Sequence, residues 1–126
     1  TIWPVVGFVS SSFGWRSGPF GGRGQFHKGL DITNRIGTPI IVPAQGIVTL
    51  SGRDGAYGFS VEINHGSGIV TKYGHMQRCA VQEGQWVKRG EIVGYVGMSG
   101  RTTGPHLHYE VRLNGVPVDP MRYILE

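Results

Sequence analysis

Glycine is never far away in this chain. Among its 126 residues the longest glycine-free stretch is the 11 residues from Val116 to Glu126. A glycine inside a helix costs about 1 kcal/mol against alanine and a proline about 3 kcal/mol, and here there are 22 glycines and 7 prolines. Long helices are therefore excluded, and with them helical bundles, coiled coils and doubly wound α/β sheets. Disorder is excluded from the other side: 39% of residues are hydrophobic, only 16% are charged and three are tryptophan, which is enough to build a core. Short strands joined by tight turns remain. A chain of this length supports one modest core, so the expectation is a mainly β, single antiparallel domain over residues 1–126. The start at Thr1 rather than Met suggests a processed product or an excised domain, and the expectation is the C-terminal part of a longer exported protein.

The net charge of +4 suits an anionic partner. No run of Lys and Arg exceeds the pair Lys88-Arg89, and the absence of a clustered basic patch argues against nucleic acid. The lone cysteine, Cys79, cannot form an intrachain disulfide and is expected as a small buried or half-buried side chain. No apolar run approaches the roughly 20 residues of a membrane span, and no secretory signal is present.

The pattern along the chain is one of short alternations. Ile2 to Val9 suggests a strand, followed by a long irregular loop to residue 25. Phe26 to Ile32 has period 2, with Phe26, Leu30 and Ile32 on one face and His27, Gly29 and Asp31 on the other. Further strands are expected at Ile40 to Val42, Ile47 to Leu50, Phe59 to Ile63, Ile69 to His75, Ile92 to Val96 and His106 to Leu113, seven to nine in all. Asn64 to Gly68 is a hairpin signal and Asn114-Gly115 another turn. Pro120 to Leu125 can form a short helical turn. The stretches from Gly37 and from Gly84 echo each other faintly, as duplicated β hairpins would.

The chemistry lies in five histidines: His27, His65, His75, His106 and His108. In a strand, residues i and i+2 point the same way, so His106 and His108 project from one face. His27 and Asp31, four apart in a period-2 segment, also share a face. Zinc accepts histidine nitrogen and carboxylate oxygen, and catalytic sites use three protein ligands with a water in the fourth position. His27, Asp31 and one of His106 and His108 make such a set. The spare histidine then stands beside the bound water, able to move its proton. His75, at the end of its strand, is a candidate acid, base or oxyanion stabiliser beside such a site. His65, in a hairpin turn, is expected to be structural. Glu110 shares the histidine face, either behind a ligand or as a solvated edge. Arg16 is a candidate for holding a substrate carboxylate, because arginine forms bidentate pairs. Trp3, Trp15 and Trp86 are expected at the core or its rim. Gly29, Gly74 and Gly104, beside the candidate residues, are expected to thin a groove wall so that an extended peptide can approach.

These segments resemble the lysostaphin and LytM type of zinc metallopeptidases. Phe26 to Ile32 carries a His-x-x-x-Asp motif like theirs, and Thr103 to Glu110 a His-x-His motif. His65 to Met76 is similar to their middle block, which ends in a histidine. The resemblance runs from about Phe13 to Tyr123. It implies a mostly antiparallel fold with an open groove and a duplicated hairpin motif. It implies one zinc ion per chain on His27, Asp31 and His108, with His75 and His106 as catalytic histidines. It also implies hydrolysis of peptide bonds in peptidoglycan cross-links, by a monomer in the periplasm or at the bacterial cell surface. One departure stands out: Pro19 to Phe26 lacks the tyrosine that members cutting glycine bridges often carry before the first zinc histidine. A non-catalytic member that binds the wall or activates another hydrolase is the alternative, and such members lack one or more of the five positions filled here. A carrier domain of lipoyl type is a third reading, weakened because Lys88 has none of the flanking residues of a modified hairpin tip.

Overall fold

The computed structural model describes residues 2–16 and 25–124. Among them are twelve strands, two 3-10 turns and no α-helix. The strands are β1 Phe8–Ser11, β2 Gly14–Arg16, β3 Gln25–His27, β4 Leu30–Thr33, β5 Pro39–Ile41, β6 Gly46–Arg53, β7 Phe59–Gly66, β8 Ile69–Cys79, β9 Trp86–Val87, β10 Ile92–Val96, β11 His106–Leu113 and β12 Val116–Val118. The 3-10 turns are Gly55–Tyr57 and Pro120–Arg122. The mainly β antiparallel expectation holds. The strand count was set too low because β2, β9 and β12 are two or three residues long, too short for a period to register.

All pairings are antiparallel, and the main sheet runs β1-β4-β11-β8-β7-β6-β9. β10 pairs with both β5 and β8, β12 with β11, and β2 and β3 form a separate ribbon. The turns follow local chemistry. Ser67 and Gly68 have φ of 53° and 79°, and Asn114 and Gly115 have 51° and 84°. Two consecutive positive φ values give the turn type whose twist matches that of a tight hairpin. The core is made by the inward faces of the central strands, with Leu30, Ile32, Ile63, Tyr73, Leu107 and Tyr109 all sealed from solvent.

Along the edge opposite β7, strand β8 changes partner. Its first half runs beside β11 as far as Gly74 opposite His108, and its second half beside β10 from Met76 opposite Val96. His75 lies at the handover and has a left-handed backbone, φ 58°.

Two expectations need correction. The first strand is Phe8–Ser11 rather than Ile2 to Val9. Before it the chain bends: Pro4 accepts a hydrogen bond from the Ile41 amide, 2.8 Å. A Cβ at Gly7 would lie 2.4 Å from the Thr33 carbonyl oxygen, so the chain crosses β4 closely there. The expected loop to residue 25 contains β2, paired with β3; residues 17–24 lie outside the described part. Second, Phe26 to Ile32 is two strands broken at Lys28-Gly29. Leu30 and Ile32 enter the core, but Phe26 leaves it. Phe26 packs edge-on against Phe13 and Trp15 on the small ribbon, with ring centroids 5.2 and 5.3 Å away.

Candidate metal centre and the hollow around it

The break at Lys28-Gly29 builds the site. In one continuous strand, side chains four residues apart sit about 13 Å from each other. Here the bend swings the end of β3 back over β4, and His27 Nε2 lies 3.2 Å from Asp31 Oδ2. The pair meets because the strand is interrupted, not because the two residues share a face. Asp31 is directly opposite His108 in the β4–β11 register, and His108 Nδ1 lies 2.8 Å from Asp31 Oδ1. One ligand atom from each of His27, Asp31 and His108 falls within 4.8 Å of the other two, so these three side chains can hold a metal ion.

Each ring is oriented from behind. The Ser12 carbonyl accepts a hydrogen bond from His27 Nδ1, 2.9 Å, which leaves the Nε2 lone pair for the site. His108 Nε2 lies 2.7 Å from Glu110 Oε2, which leaves Nδ1 toward Asp31. Glu110 is wholly buried, although the alternation of β11 puts it on the polar face. It is covered because Tyr57 donates to Oε2 at 2.7 Å and Arg112 donates to Oε1 from Nε and Nη2, at 2.9 and 2.7 Å. The Tyr57 ring also lies on the His108 ring, centroids 5.4 Å apart, and Lys72 Nζ lies 4.0 Å from its centroid. A carboxylate behind a ligating histidine fixes its tautomer and ring plane, and Glu110 has that position.

His75 and His106 face each other across the same hollow, ring centroids 4.9 Å apart. His75 Nδ1 donates to the Ser99 carbonyl, 2.8 Å, and His106 Nδ1 to the Gly104 carbonyl, 2.9 Å. Each thus keeps Nε2 for the hollow, and that of His106 is 3.7 Å from Asp31 Oδ1. The hollow, about 340 Å³, is completed by Arg101, Thr102 and Thr103. A larger one of about 610 Å³, beside β1 among Val6, Phe8 and Asn34, contains no histidine and is apart from this chemistry.

The electrostatics follow from the packing. Burial opposes charge on Asp31, but hydrogen bonds from His108 and His27 outweigh it and hold the carboxyl well below the usual carboxylate range. Burial likewise opposes charge on Glu110, and its bonds with His108 and Tyr57 bring it down to about 2. Burial acts to lower His108, but the two carboxylates that bracket it raise it to about 9 in the metal-free protein. His75 is lowered, chiefly by burial. Tyr57 is pushed up to about 12 by burial and by its bond to Glu110, which keeps it a donor.

The remaining candidates sort plainly. His65 is structural, with Nδ1 donating to the Gln45 carbonyl at 2.8 Å and Nε2 accepting from the Thr71 hydroxyl at 2.7 Å. Cys79 is free and half-buried. Trp3 packs on the core, whereas Trp15 and Trp86 are exposed, Trp15 by 76%. The backbone of Arg16 lies in β2, and its side chain lies outside the described part. The expectation that glycines thin the groove wall fails at Gly29 and Gly74. A Cβ at Gly29 would meet the Tyr109 carbonyl oxygen at 2.5 Å and His108 Cε1 at 3.0 Å, so this glycine lets the bend lie down on β11. A Cβ at Gly74 would press on the Tyr57 ring at 3.3 Å. Of these three, Gly104 alone faces open space. The sequence pattern did not point to Tyr57, Ser99 or Arg101, because they sit in aperiodic connectors; their only signal is closeness to turn glycines.

The chain and its fold are similar to known peptidases. Residues 25–120 match peptidase family M23. The chain is 44% identical over 117 residues to a DD-carboxypeptidase/endopeptidase, Mpg, of Neisseria meningitidis, a match covering 93% of this chain and 27% of that protein. The chain thus spans about a quarter of that relative's length. Its fold superposes with TM-score 0.88 on a zinc containing peptidase from Vibrio cholerae, at 36% identity, covering 94% of this chain and 38% of the other. It superposes with TM-score 0.80 on the catalytic domain of the antimicrobial peptidase lysostaphin from Staphylococcus simulans, at 29% identity, covering 92% and 90%.

Proposed function

The chain belongs to peptidase family M23, and from that membership and the geometry together we propose that it is a zinc-dependent endopeptidase that hydrolyses peptide bonds in peptidoglycan cross-links. The observation that carries the proposal is the convergence of His27, Asp31 and His108 within 4.8 Å, with two more histidines facing the same hollow. The donor set fits the ion. Ligands held 2.0–2.1 Å from a tetrahedral zinc lie about 3.3 Å from one another, and the Asp31 carboxylate lies 3.2 Å from His27 Nε2 through Oδ2 and 2.8 Å from His108 Nδ1 through Oδ1. His27 and His108 each engage their second ring nitrogen with an acceptor, as ligating histidines do.

Bound zinc would supply a Lewis acid for the scissile carbonyl and a water of lowered pKa. The protein's own groups do the rest. His75 is kept neutral near pH 7 by burial, so its Nε2 is ready to accept a proton from the attacking water. His106 Nε2 faces it across the hollow, where it can steady the developing oxyanion or deliver a proton to the leaving amine. Because both rings are tied at Nδ1, neither can turn its reactive nitrogen away. Arg112, Tyr57 and Glu110 hold the His108 ring in plane. In this reading the protein acts as a monomer in the periplasm or at the cell surface.

The test is digestion of purified peptidoglycan by the zinc-loaded protein, with mass spectrometry of the released muropeptides. Cleavage at the cross-link peptide, abolished by a chelator and restored by zinc, is the expected result. Zinc-loaded protein that leaves the polymer uncut would instead favour the non-catalytic, wall-binding reading.

A further inference from the structure

Three of the side chains lining the hollow are not metal-competent: Arg101, Thr102 and Thr103. Thr102 is turned inward, its hydroxyl donating to the Gly104 carbonyl at 2.9 Å. Among the described residues, Arg101 is the one permanent cation lining the hollow. The other arginines of the sheet are occupied: Arg112 with Glu110, Arg53 over the Phe59 ring at 4.5 Å and Arg78 over the Tyr95 ring at 4.2 Å. The Arg101 guanidinium has no hydrogen-bond or ion-pair partner among the described residues.

Its backbone, by contrast, is pinned. The Arg101 amide donates to the Ala56 carbonyl at 2.7 Å. Gly100, with φ 77°, lies so close to the Gly55–Tyr57 turn that a Cβ there would be 2.4 Å from the Ala56 oxygen. Two residues earlier, the Ser99 carbonyl holds His75. A fixed backbone with a free cationic side chain at a reaction site is an arrangement for gripping an anion that arrives with the substrate.

We propose that Arg101 binds the carboxylate attached to the carbon that bears the leaving nitrogen, and so selects the substrates of this site. The inference rests on the peptidase reading above. A bond between two D-residues can be the last bond of a free stem peptide or a cross-link to the D-centre of a diamino diacid. In both, the carbon next to the scissile nitrogen carries a carboxyl group. One arginine can therefore serve both a carboxypeptidase and an endopeptidase reaction. A cross-link through the plain side-chain amine of lysine has no such group and would be disfavoured.

The test uses four peptides and the zinc-loaded protein: a diaminopimelate-type cross-linked dimer and a pentapeptide stem, each with that carboxylate free or amidated. Wild-type protein should prefer the free acid by about tenfold in kcat/KM, the effect of one charged hydrogen-bonded pair at a partly wet site. Arg101→Ala should erase the preference and Arg101→Lys should keep part of it. A preference seen in one peptide pair alone identifies that carboxylate as the ligand. Equal rates for acid and amide in the wild type, or a preference that survives Arg101→Ala, would overturn the proposal. If the wild type cuts none of the four, the hydrolase reading fails. The Arg101 proposal is then decided by the ratio of Kd values for the same pairs, measured by calorimetry.

Discussion

His65 and His75 belong to the two strands of one hairpin, and the fold treats them in opposite ways. Around His65 every polar group is consumed: the Gln45 carbonyl takes the Nδ1 proton, the Thr71 hydroxyl donates to Nε2, and the Tyr73 hydroxyl donates in turn to Thr71, 2.7 Å. Around His75 one nitrogen is tied to Ser99 and the other is left to the hollow. Burial lowers the pKa of both. The difference is therefore one of closure rather than of burial. A half-satisfied histidine beside converging ligands keeps a nitrogen open to the hollow, and a fully satisfied one is a fastener.

The contrast can be broken hardest at His108. His108→Ala removes a ligand, so zinc by elemental analysis should fall from about one per chain to near none, and hydrolysis should disappear with it. Next come the open histidines. His75→Ala and His106→Ala should retain zinc and lower kcat by about 10² to 10⁴. Loss of metal in either would show that the residue is a ligand and not a proton carrier. Gly29→Val tests the packing that brings the open side together. With no space against Tyr109 and His108, it should lower unfolding stability by about 1–3 kcal/mol, read from denaturant midpoints; unchanged stability with intact zinc would leave the bend unexplained.

The smallest effect belongs to the closed histidine. His65 has a folded pKa below its unfolded value near 6.5, so the unfolded chain takes up the proton first. Its contribution to stability is thus complete above about pH 6.5 and is lost as the pH falls, by at most about 1.4 kcal/mol per pH unit. His65→Gln should flatten that part of the stability profile without changing zinc content. A profile that keeps its slope would assign the acid sensitivity elsewhere.

The two regions were unequally legible in the sequence. The β11 pattern from His106 to Leu113 was visible because a regular strand writes its faces directly into alternation, and the boundaries match. The turns at Ser67-Gly68 and Asn114-Gly115 were visible for the same local reason. The pairing of His27 with Asp31 was foreseen, but from a continuous strand that does not exist; a bend carried by one glycine leaves no periodic mark. Glu110 was named as one of two things, and only the covering by Tyr57, 53 positions away, decides between them. Arg101 and Ser99 were invisible because their roles come from a connector pinned to another connector.

The left-handed backbone at His75 separates durability from work. A residue with a Cβ sits there at a cost of roughly 1–2 kcal/mol, which glycine escapes. Replacing His75 with alanine therefore removes the imidazole and keeps the strain, whereas replacing it with glycine removes both. The glycine variant is expected to melt above the alanine variant while remaining just as inert.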